Sequence, residues 1–252
     1  MKEPSTHAFT LTELLVVVPV AVLLTTMLFA VSNDATQQLQ AAACLNNMRQ
    51  WSLGFMLYAN DYRDYVPYDG DSGSPCDPAN AAAWFNLIPP YIGQKTLCTL
   101  YNAAPPTPPT PLTKSVWSCP SATNVTVQPT LSYPYFMYSI NDCWHRGIAC
   151  PPAPNATQRN RATSPSNTIL FCEEPEDNYS TTSGLYDTVR RHFGGSNFVF
   201  ADGHAGWLTW TNFCRSCPAN QFSWDNSSPT GDWNPTVKYH WWPFAGAAEG
   251  CN

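Results

Sequence analysis

The stretch that decides the fold lies near the start of the chain, where HAFTLTEL (residues 7–14) leads into the apolar run LLVVVPVAVLLTTMLFAV (residues 14–31). The run is 18 residues long and contains no Asp, Glu, Lys, Arg or His. A run of this kind lies at the lower limit of length for a helix that spans a bilayer. The sequence therefore predicts a membrane-spanning helical segment over residues 9–33.

Three interpretations of this segment compete: a secretory signal peptide, a plain membrane anchor, and an assembly helix that is processed on its N-terminal side. A signal peptide has a positive leader and a small-residue cleavage site after the apolar core, whereas residues 1–8 carry one Lys and one Glu. The unusual features precede the run, where Ala8 is followed by Phe9 and Glu13 lies at its edge. Because a carboxylate is costly in hydrocarbon, Glu13 suggests a specific cationic partner.

The helix is expected to continue beyond the apolar run as an amphipathic half over residues 34–61. Residues 37–60 contain no Pro, and Gly54 is their one Gly. Apolar or small residues recur at intervals of three and four, which is typical of an amphipathic helix. The expected buried stripe consists of Ala41, Leu45, Met48, Ser52, Phe55, Met56 and Ala59.

The composition indicates that residues 62–252 form a globular head that is rich in loops and strands. The chain has 10 Trp, 24 Pro and 13% aromatic residues, whereas only 12% of its residues are charged. A net charge of −6 argues against a nucleic-acid partner bound through a basic surface. Ten cysteines indicate an oxidising compartment and up to five disulfides, whose connectivity the sequence leaves open.

Short apolar runs bounded by Pro, Asn and Ser predict consecutive antiparallel strands. They cover residues 130–140, 168–172, 197–201 and 205–210. Asp202-Gly203 between the last two runs predicts a tight hairpin turn in which both central residues have positive φ. The expected fold is α+β, with one long N-terminal helix packed against a small antiparallel sheet that carries long disulfide-bonded loops.

The segment FTLTELLVVV (residues 9–18) resembles the type IV prepilin signature. The resemblance implies that a prepilin peptidase removes residues 1–8 by cutting between Ala8 and Phe9, and that the new N-terminus is methylated. It also implies that Glu13 pairs with the terminal amine of a neighbouring subunit. The family's usual residue before the cut is Gly, and Ala8 departs from that pattern.

The segment AAACLNNMRQ (residues 41–50), followed by YANDY (residues 58–62), resembles a branch of large-headed bacterial pseudopilins. In that branch a Cys on the helix is followed by a later Cys-Pro, which here are Cys44 and Cys119-Pro120. The resemblance implies a disulfide between Cys44 and Cys119. The segment RHFGGSNFVFADGHAGWL (residues 191–208) also matches the branch's His-x9-Asp-Gly motif, with His192, Asp202 and Gly203 in the named places.

The resemblance implies a pilin-like fold and a structural role, as a subunit of a type IV pilus or of a type II secretion-like filament. The chain would be held by one span in the inner membrane with its head in the periplasm, and would then enter a periplasmic or extracellular filament. Its partners would be other copies, other pilins or pseudopilins, and prepilin peptidase. The alternative is a membrane-anchored extracytoplasmic module whose Trp-rich head binds carbohydrate.

Several acidic residues and histidines raise the question of a metal site or an enzyme. Asp69 and Asp71 faintly resemble a calcium loop, although a solvated turn is the favoured interpretation. His192, Asp202 and His204 could form a ligand set in principle. Further oxygens could come from the acidic residues that follow one another closely at Glu173, Glu174, Glu176 and Asp177. Structural roles are favoured for them, and calcium is the first metal candidate. Since no nucleophile, base and orienting group are evident together, we expect no enzyme and no other cofactor.

Tryptophans are frequent among the amide-rich residues at the end of the chain. Exposed aromatic faces beside amides could stack on sugars, but a loop-rich head also uses such residues in its core. The core interpretation is favoured, and it concerns Trp224, Trp233, Trp241 and Trp242.

Overall fold

The computed structural model divides into two units, with the boundary between Leu39 and Gln40. It describes residues 10–70, 73–122, 130, 134–141, 144, 158–162, 164–177, 180–182 and 188–209, without the side chains of 27–33, 175–177 and 182. Ala8, Phe9, Asp71 and the four tryptophans after residue 210 therefore lie outside the described residues.

Helix α1 spans Leu11–Asp61, which confirms the prediction of one long N-terminal helix. It begins at a reciprocal capping box, a motif in which the first and fourth residues satisfy each other's backbone N–H groups. The Thr10 N–H donates to Glu13 Oε2 at 2.9 Å, and the Glu13 N–H donates to Thr10 Oγ1 at 3.3 Å. The helix ends where Arg63 and Asp64 take positive φ angles of 55° and 66°.

In the first unit, α1 exposes large apolar side chains around its surface. Their exposed fractions run from 50% at Val20 to 82% at Leu11. Among the residues that the structure describes, no helix combines the length and the hydropathy that crossing a membrane requires. The exposed large apolar residues of this part of α1 are Leu11, Leu14, Leu15, Val16, Val17, Val18, Val20, Val22, Leu23, Leu24 and Leu39.

In the second unit, α1 is amphipathic and its buried stripe packs on the head. The stripe differs from the predicted one because Ala41, Leu45 and Met56 are only half-buried. Large aromatic residues occupy its centre instead, whereas Leu53 and Leu57 remain exposed on the other side. The fully or largely buried side chains of the stripe are Cys44, Met48, Trp51, Ser52, Phe55, Tyr58 and Ala59.

The head contains a four-stranded antiparallel sheet, which confirms the predicted α+β class. Its strands are β1 (Phe136–Asn141), β2 (Ile169–Asp177), β4 (Gly195–Phe200) and β5 (Ala205–Thr209), and they pair in chain order. The two-residue strand β3 (Thr181–Thr182) adds a short parallel pairing outside β1, which the sequence did not indicate. Two short helices, α2 (Trp84–Leu87) and α3 (Leu97–Tyr101), precede the sheet.

Aromatic side chains form the core between α1 and the sheet. The Trp51 ring lies edge-on to the rings of Trp84 and Trp117, with centroids 5.3 Å and 4.8 Å away. Phe171 on β2 packs against Phe55 of α1 at 5.1 Å. The Trp51 indole N–H donates to the Val116 carbonyl at 3.0 Å, so this buried ring leaves no polar atom unsatisfied.

The β4–β5 hairpin turns differently from the prediction. The Phe200 N–H donates to the His204 carbonyl at 2.9 Å, so three residues, Ala201 to Gly203, lie between this bonded pair. The Gly203 N–H donates to the Phe200 carbonyl at 2.9 Å and closes the turn. Gly203 takes a φ of 95°, whereas Asp202 is outside the left-handed region, so the expected pair of positive φ angles is wrong. Three-residue loops of this kind place glycine at the left-handed position.

The same turn docks on α1. The Ser52 hydroxyl donates to the Gly203 carbonyl. A Cβ placed on Gly203 would lie 2.9 Å from Met56, which is closer than real side chains approach. Gly203 is therefore required by its backbone conformation, and a larger residue there would also displace the Met56 side chain.

We expect Gly203→Ala to lower the free energy of unfolding by about 1–3 kcal/mol, because alanine is strained at this φ and displaces Met56. Gly206→Ala is the matched control, since a Cβ there meets nothing closer than 3.9 Å. That control should change stability by less than about 0.5 kcal/mol. Denaturant unfolding followed by tryptophan fluorescence measures both, and equal effects would contradict the docking of this turn.

Candidate functional site

The His-x9-Asp-Gly motif begins at a tight turn that leads into β4. His192 and Gly195 exchange two backbone hydrogen bonds, of 3.2 Å and 2.9 Å. The two residues between them, Phe193 and Gly194, have positive φ angles of 51° and 75°. Two left-handed residues at the centre are the pattern of a type I′ turn. This turn fixes the backbone from which the His192 side chain points into the head.

The His192 ring is buried against a carboxylate. Its Nε2 atom lies 2.9 Å from Glu173 Oε1, and the two side chains are 1% and 0% exposed. Since an ionised carboxylate can only accept hydrogen bonds, His192 Nε2 carries the proton. Glu173 also accepts from the Asn197 N–H at 2.9 Å, from Asn197 Nδ2 at 3.2 Å and from Ser196 Oγ at 3.2 Å.

This network keeps Glu173 ionised. Burial by itself acts to raise the pKa of the carboxyl group, because it penalises the charged form. The His192 hydrogen bond and charge, the Arg191 charge and the Asn197 N–H together outweigh burial and lower the pKa of Glu173 below its ordinary range. The head therefore contains a buried, fully hydrogen-bonded carboxylate.

A disulfide lies directly beside this pair. Cys44 of α1 and Cys119 are bonded in the structure, as the pseudopilin resemblance implied. Cys119 Sγ is 3.5 Å from His192 Nε2. The two sulfurs, His192 and a Glu173 oxygen form a buried group in which all ligand-type atoms lie within 4.8 Å of one another. We call these four residues the Cys-His-Glu cluster.

The other end of the motif is a separate polar pair. Asp202 Oδ1 accepts from His204 Nδ1 at 2.6 Å and from the His204 N–H at 3.0 Å. Partial burial acts to raise the pKa of Asp202, but these hydrogen bonds and the His204 charge lower it overall. The His204 ring stacks on Phe200, with centroids 4.2 Å apart. These contacts hold the turn that docks on α1.

The structure does not assemble the ligand sets considered from sequence. Among the described residues, the Cys-His-Glu cluster is the one close group of three or more possible metal ligands, and it contains neither Asp202 nor His204. Asp69, Glu173 and Glu174 are buried but do not form such a group together. Glu173 and Glu174 are successive residues of β2, which point to opposite faces of the sheet, and Glu174 accepts from the Ser139 hydroxyl.

Glu13 has a local partner that the sequence argument missed. Its carboxylate accepts from the Thr10 hydroxyl at 2.7 Å as well as from the Thr10 N–H. The Thr-x-x-Glu spacing before an apolar run was the signal that could have revealed this capping box. No local spacing indicates that Glu173 lies beside the disulfide, because that contact joins residues that are far apart in the sequence.

Comparison with known proteins yields no relative: no family model, no curated protein and no solved structure matches the chain. The type IV pilin resemblance therefore depends on the quoted motifs and stays a proposal.

Because the buried carboxylate of Glu173 is ionised, we expect the head to lose stability in acid. Because the pKa of Glu173 is lower in the folded chain than its ordinary value of 4.5, its contribution to stability is fully present above that value. That contribution is lost as the pH falls through the folded-state value. We expect the free energy of unfolding of the disulfide-bonded chain to fall as the pH is lowered from about 5.

Glu173→Gln should unfold more easily at neutral pH and should show a shallower fall in stability with acid. Asp34→Asn serves as the control, because it removes an exposed carboxylate. This change tests the loss of a carboxylate that has no part in the buried network around Glu173. Denaturant unfolding between pH 3 and 7 tests this, and an unchanged slope in Glu173→Gln would count against the assignment.

Proposed function

We propose that the chain is a structural subunit of a helical filament of the type IV pilus or type II secretion kind, and not an enzyme. The observation that carries the proposal is α1, a single helix from Leu11 to Asp61 that has two different surfaces. Before Leu39 it exposes apolar side chains, and after Gln40 it forms part of the core of a sheet-containing head. A helix of this type suits a fibre in which helices bundle inside and heads face outward.

The exposed apolar surface supports bundling. Helices that are apolar on all sides are stable where lipid or other helices cover them. In the proposed filament the cover comes from the same segment of neighbouring copies. Before assembly, the inner membrane holds this segment with the head in the periplasm. Pro19 interrupts one backbone hydrogen bond there, which packed helices tolerate.

Glu13 supports a defined register between copies. Its carboxylate lies at the start of the apolar surface, where an unpaired charge would be costly once water is excluded. Cleavage before Phe9 by prepilin peptidase would create a free amine close to this position on each copy. Pairing that amine with Glu13 of a neighbour neutralises both charges and sets the axial offset. The capping bonds from Thr10 hold the carboxylate at the helix start meanwhile.

The disulfides support an extracytoplasmic head. Cys44–Cys119 attaches residue 119 covalently to α1, and Cys76–Cys98 closes a second loop. Disulfides persist in oxidising compartments such as the bacterial periplasm. A head that is bonded to its helix cannot detach when the filament is pulled or pushed. The expected partners are further copies and other pilins or pseudopilins.

Two substitutions separate the register role of Glu13 from its capping role. Glu13→Gln removes the charge but keeps a side chain that serves the capping box equally well. Thr10→Ala removes the capping hydroxyl but keeps the charge. We expect Glu13→Gln to abolish or greatly reduce filament yield, whereas Thr10→Ala should assemble at a level near that of the unmodified chain.

Filament yield is measured by shearing, sedimentation and electron microscopy, with the membrane-bound amount of each variant as the control. A normal filament yield from the Glu13→Gln variant would contradict the charge-pairing role. Loss of assembly in Thr10→Ala alone would show that the cap, and not the charge, is what the filament needs.

A further inference from the structure

The Cys-His-Glu cluster, Cys44, Cys119, Glu173 and His192, is chemically unusual for the surroundings of a disulfide. We propose that, when both cysteines are thiols, the cluster binds one Zn²⁺ through two sulfurs, one imidazole nitrogen and one carboxylate oxygen. This inference concerns the head alone and does not depend on filament assembly. It gives the connection between α1 and the sheet two chemical forms, a disulfide and a metal site.

The positions of the four atoms suit this ion. Zn–S bonds of about 2.3 Å and Zn–N or Zn–O bonds of about 2.0–2.1 Å place tetrahedral ligand atoms about 3.3–3.8 Å apart. Cys119 Sγ and His192 Nε2 are already 3.5 Å apart. His192 Nε2 and Glu173 Oε1 are 2.9 Å apart and need to separate by only a few tenths of an ångström. The sulfurs separate once their bond is absent.

The surroundings support a closed structural site. All four residues are buried, so water does not compete for the ion. The carboxylate is oriented by the Asn197 N–H and the Ser196 hydroxyl, which bond to Glu173 Oε2. Outer hydrogen bonds of this kind position metal ligands and raise their affinity. Zinc binds thiolate sulfur, imidazole nitrogen and carboxylate oxygen, whereas calcium takes oxygen ligands.

Zinc binding requires both cysteines of the cluster in the thiol form. A newly synthesised chain carries both cysteines as thiols, so no reductant is needed before the disulfide forms. Binding of Zn²⁺ releases one proton from each thiol, and the proton on His192 Nε2 moves to Nδ1 or to solvent. In the purified chain a water-soluble phosphine opens the disulfide: the phosphine becomes its oxide with oxygen from water, and each sulfur gains a hydrogen.

The chain offers a matched control in its second disulfide. Cys76 and Cys98 belong to no such group among the described residues, since their neighbours there include Asn102 and Asn86 rather than a histidine and a carboxylate. Removing them should leave the proposed site intact, while removing Cys44 and Cys119 should eliminate it.

The test titrates the full chain, reduced with the phosphine, with Co²⁺ as a spectroscopic substitute for Zn²⁺. We expect one equivalent to give the visible bands of tetrahedral cobalt and a thiolate-to-cobalt charge-transfer band, and one equivalent of Zn²⁺ to bleach them. The Cys76→Ser/Cys98→Ser variant should still bind one equivalent of Co²⁺, whereas the Cys44→Ser/Cys119→Ser variant should not. The oxidised chain should not bind it.

His192→Gln and Glu173→Gln should each weaken the binding of this one Co²⁺ ion at least tenfold. Their oxidised forms are first checked for native tryptophan fluorescence, so that a folding defect is not mistaken for a lost ligand. Identical titrations of the reduced chain and of Cys44→Ser/Cys119→Ser would overturn the proposal. It would equally be overturned if the reduced chain were unfolded and Zn²⁺ failed to restore native fluorescence.

Discussion

The structure depends on the packing of one helical stripe against one sheet face. Trp51 and Phe55 of α1 meet Phe171 of β2, and the short helix α2 adds Trp84 to the same core. Aromatic side chains bury large apolar areas, and here they fill the space between the helix and the sheet, so this aromatic core holds the head together. The disulfide and the β4–β5 turn then fix the helix at two points along its length, at Cys44 and at Ser52.

The His-x9-Asp-Gly motif has a physical explanation in this arrangement. Its two ends lie at opposite ends of β4, and each reaches α1 by a different route. His192 bonds to Glu173 and touches the Cys44–Cys119 disulfide, whereas Gly203 contacts Ser52 and Met56 directly. The motif therefore positions the sheet on the helix. This role agrees with a structural protein and requires no catalytic chemistry.

Much of the fold could be predicted because its signals are local. The long helix follows from apolar spacing, the strands from short runs between turn residues, and the β4–β5 hairpin from Asp202-Gly203. What could not be predicted depends on contacts between distant residues. The aromatic centre of the α1 stripe reflects the shape of the sheet face, and the burial of Glu173 beside His192 follows from the register of β2 and β4. The Thr10–Glu13 capping box is indicated by the local Thr-x-x-Glu spacing, whereas the cost of a carboxylate in hydrocarbon favours a cationic partner on another chain.

The most direct test of the central claim, that α1 is an assembly helix, is the mass of the N-terminal peptide of the chain isolated from the producing cell's envelope and surface fractions. We expect a peptide that begins at Phe9 and carries one methyl group on its amine. A peptide that retains Met1, or one that begins after residue 31, would contradict it.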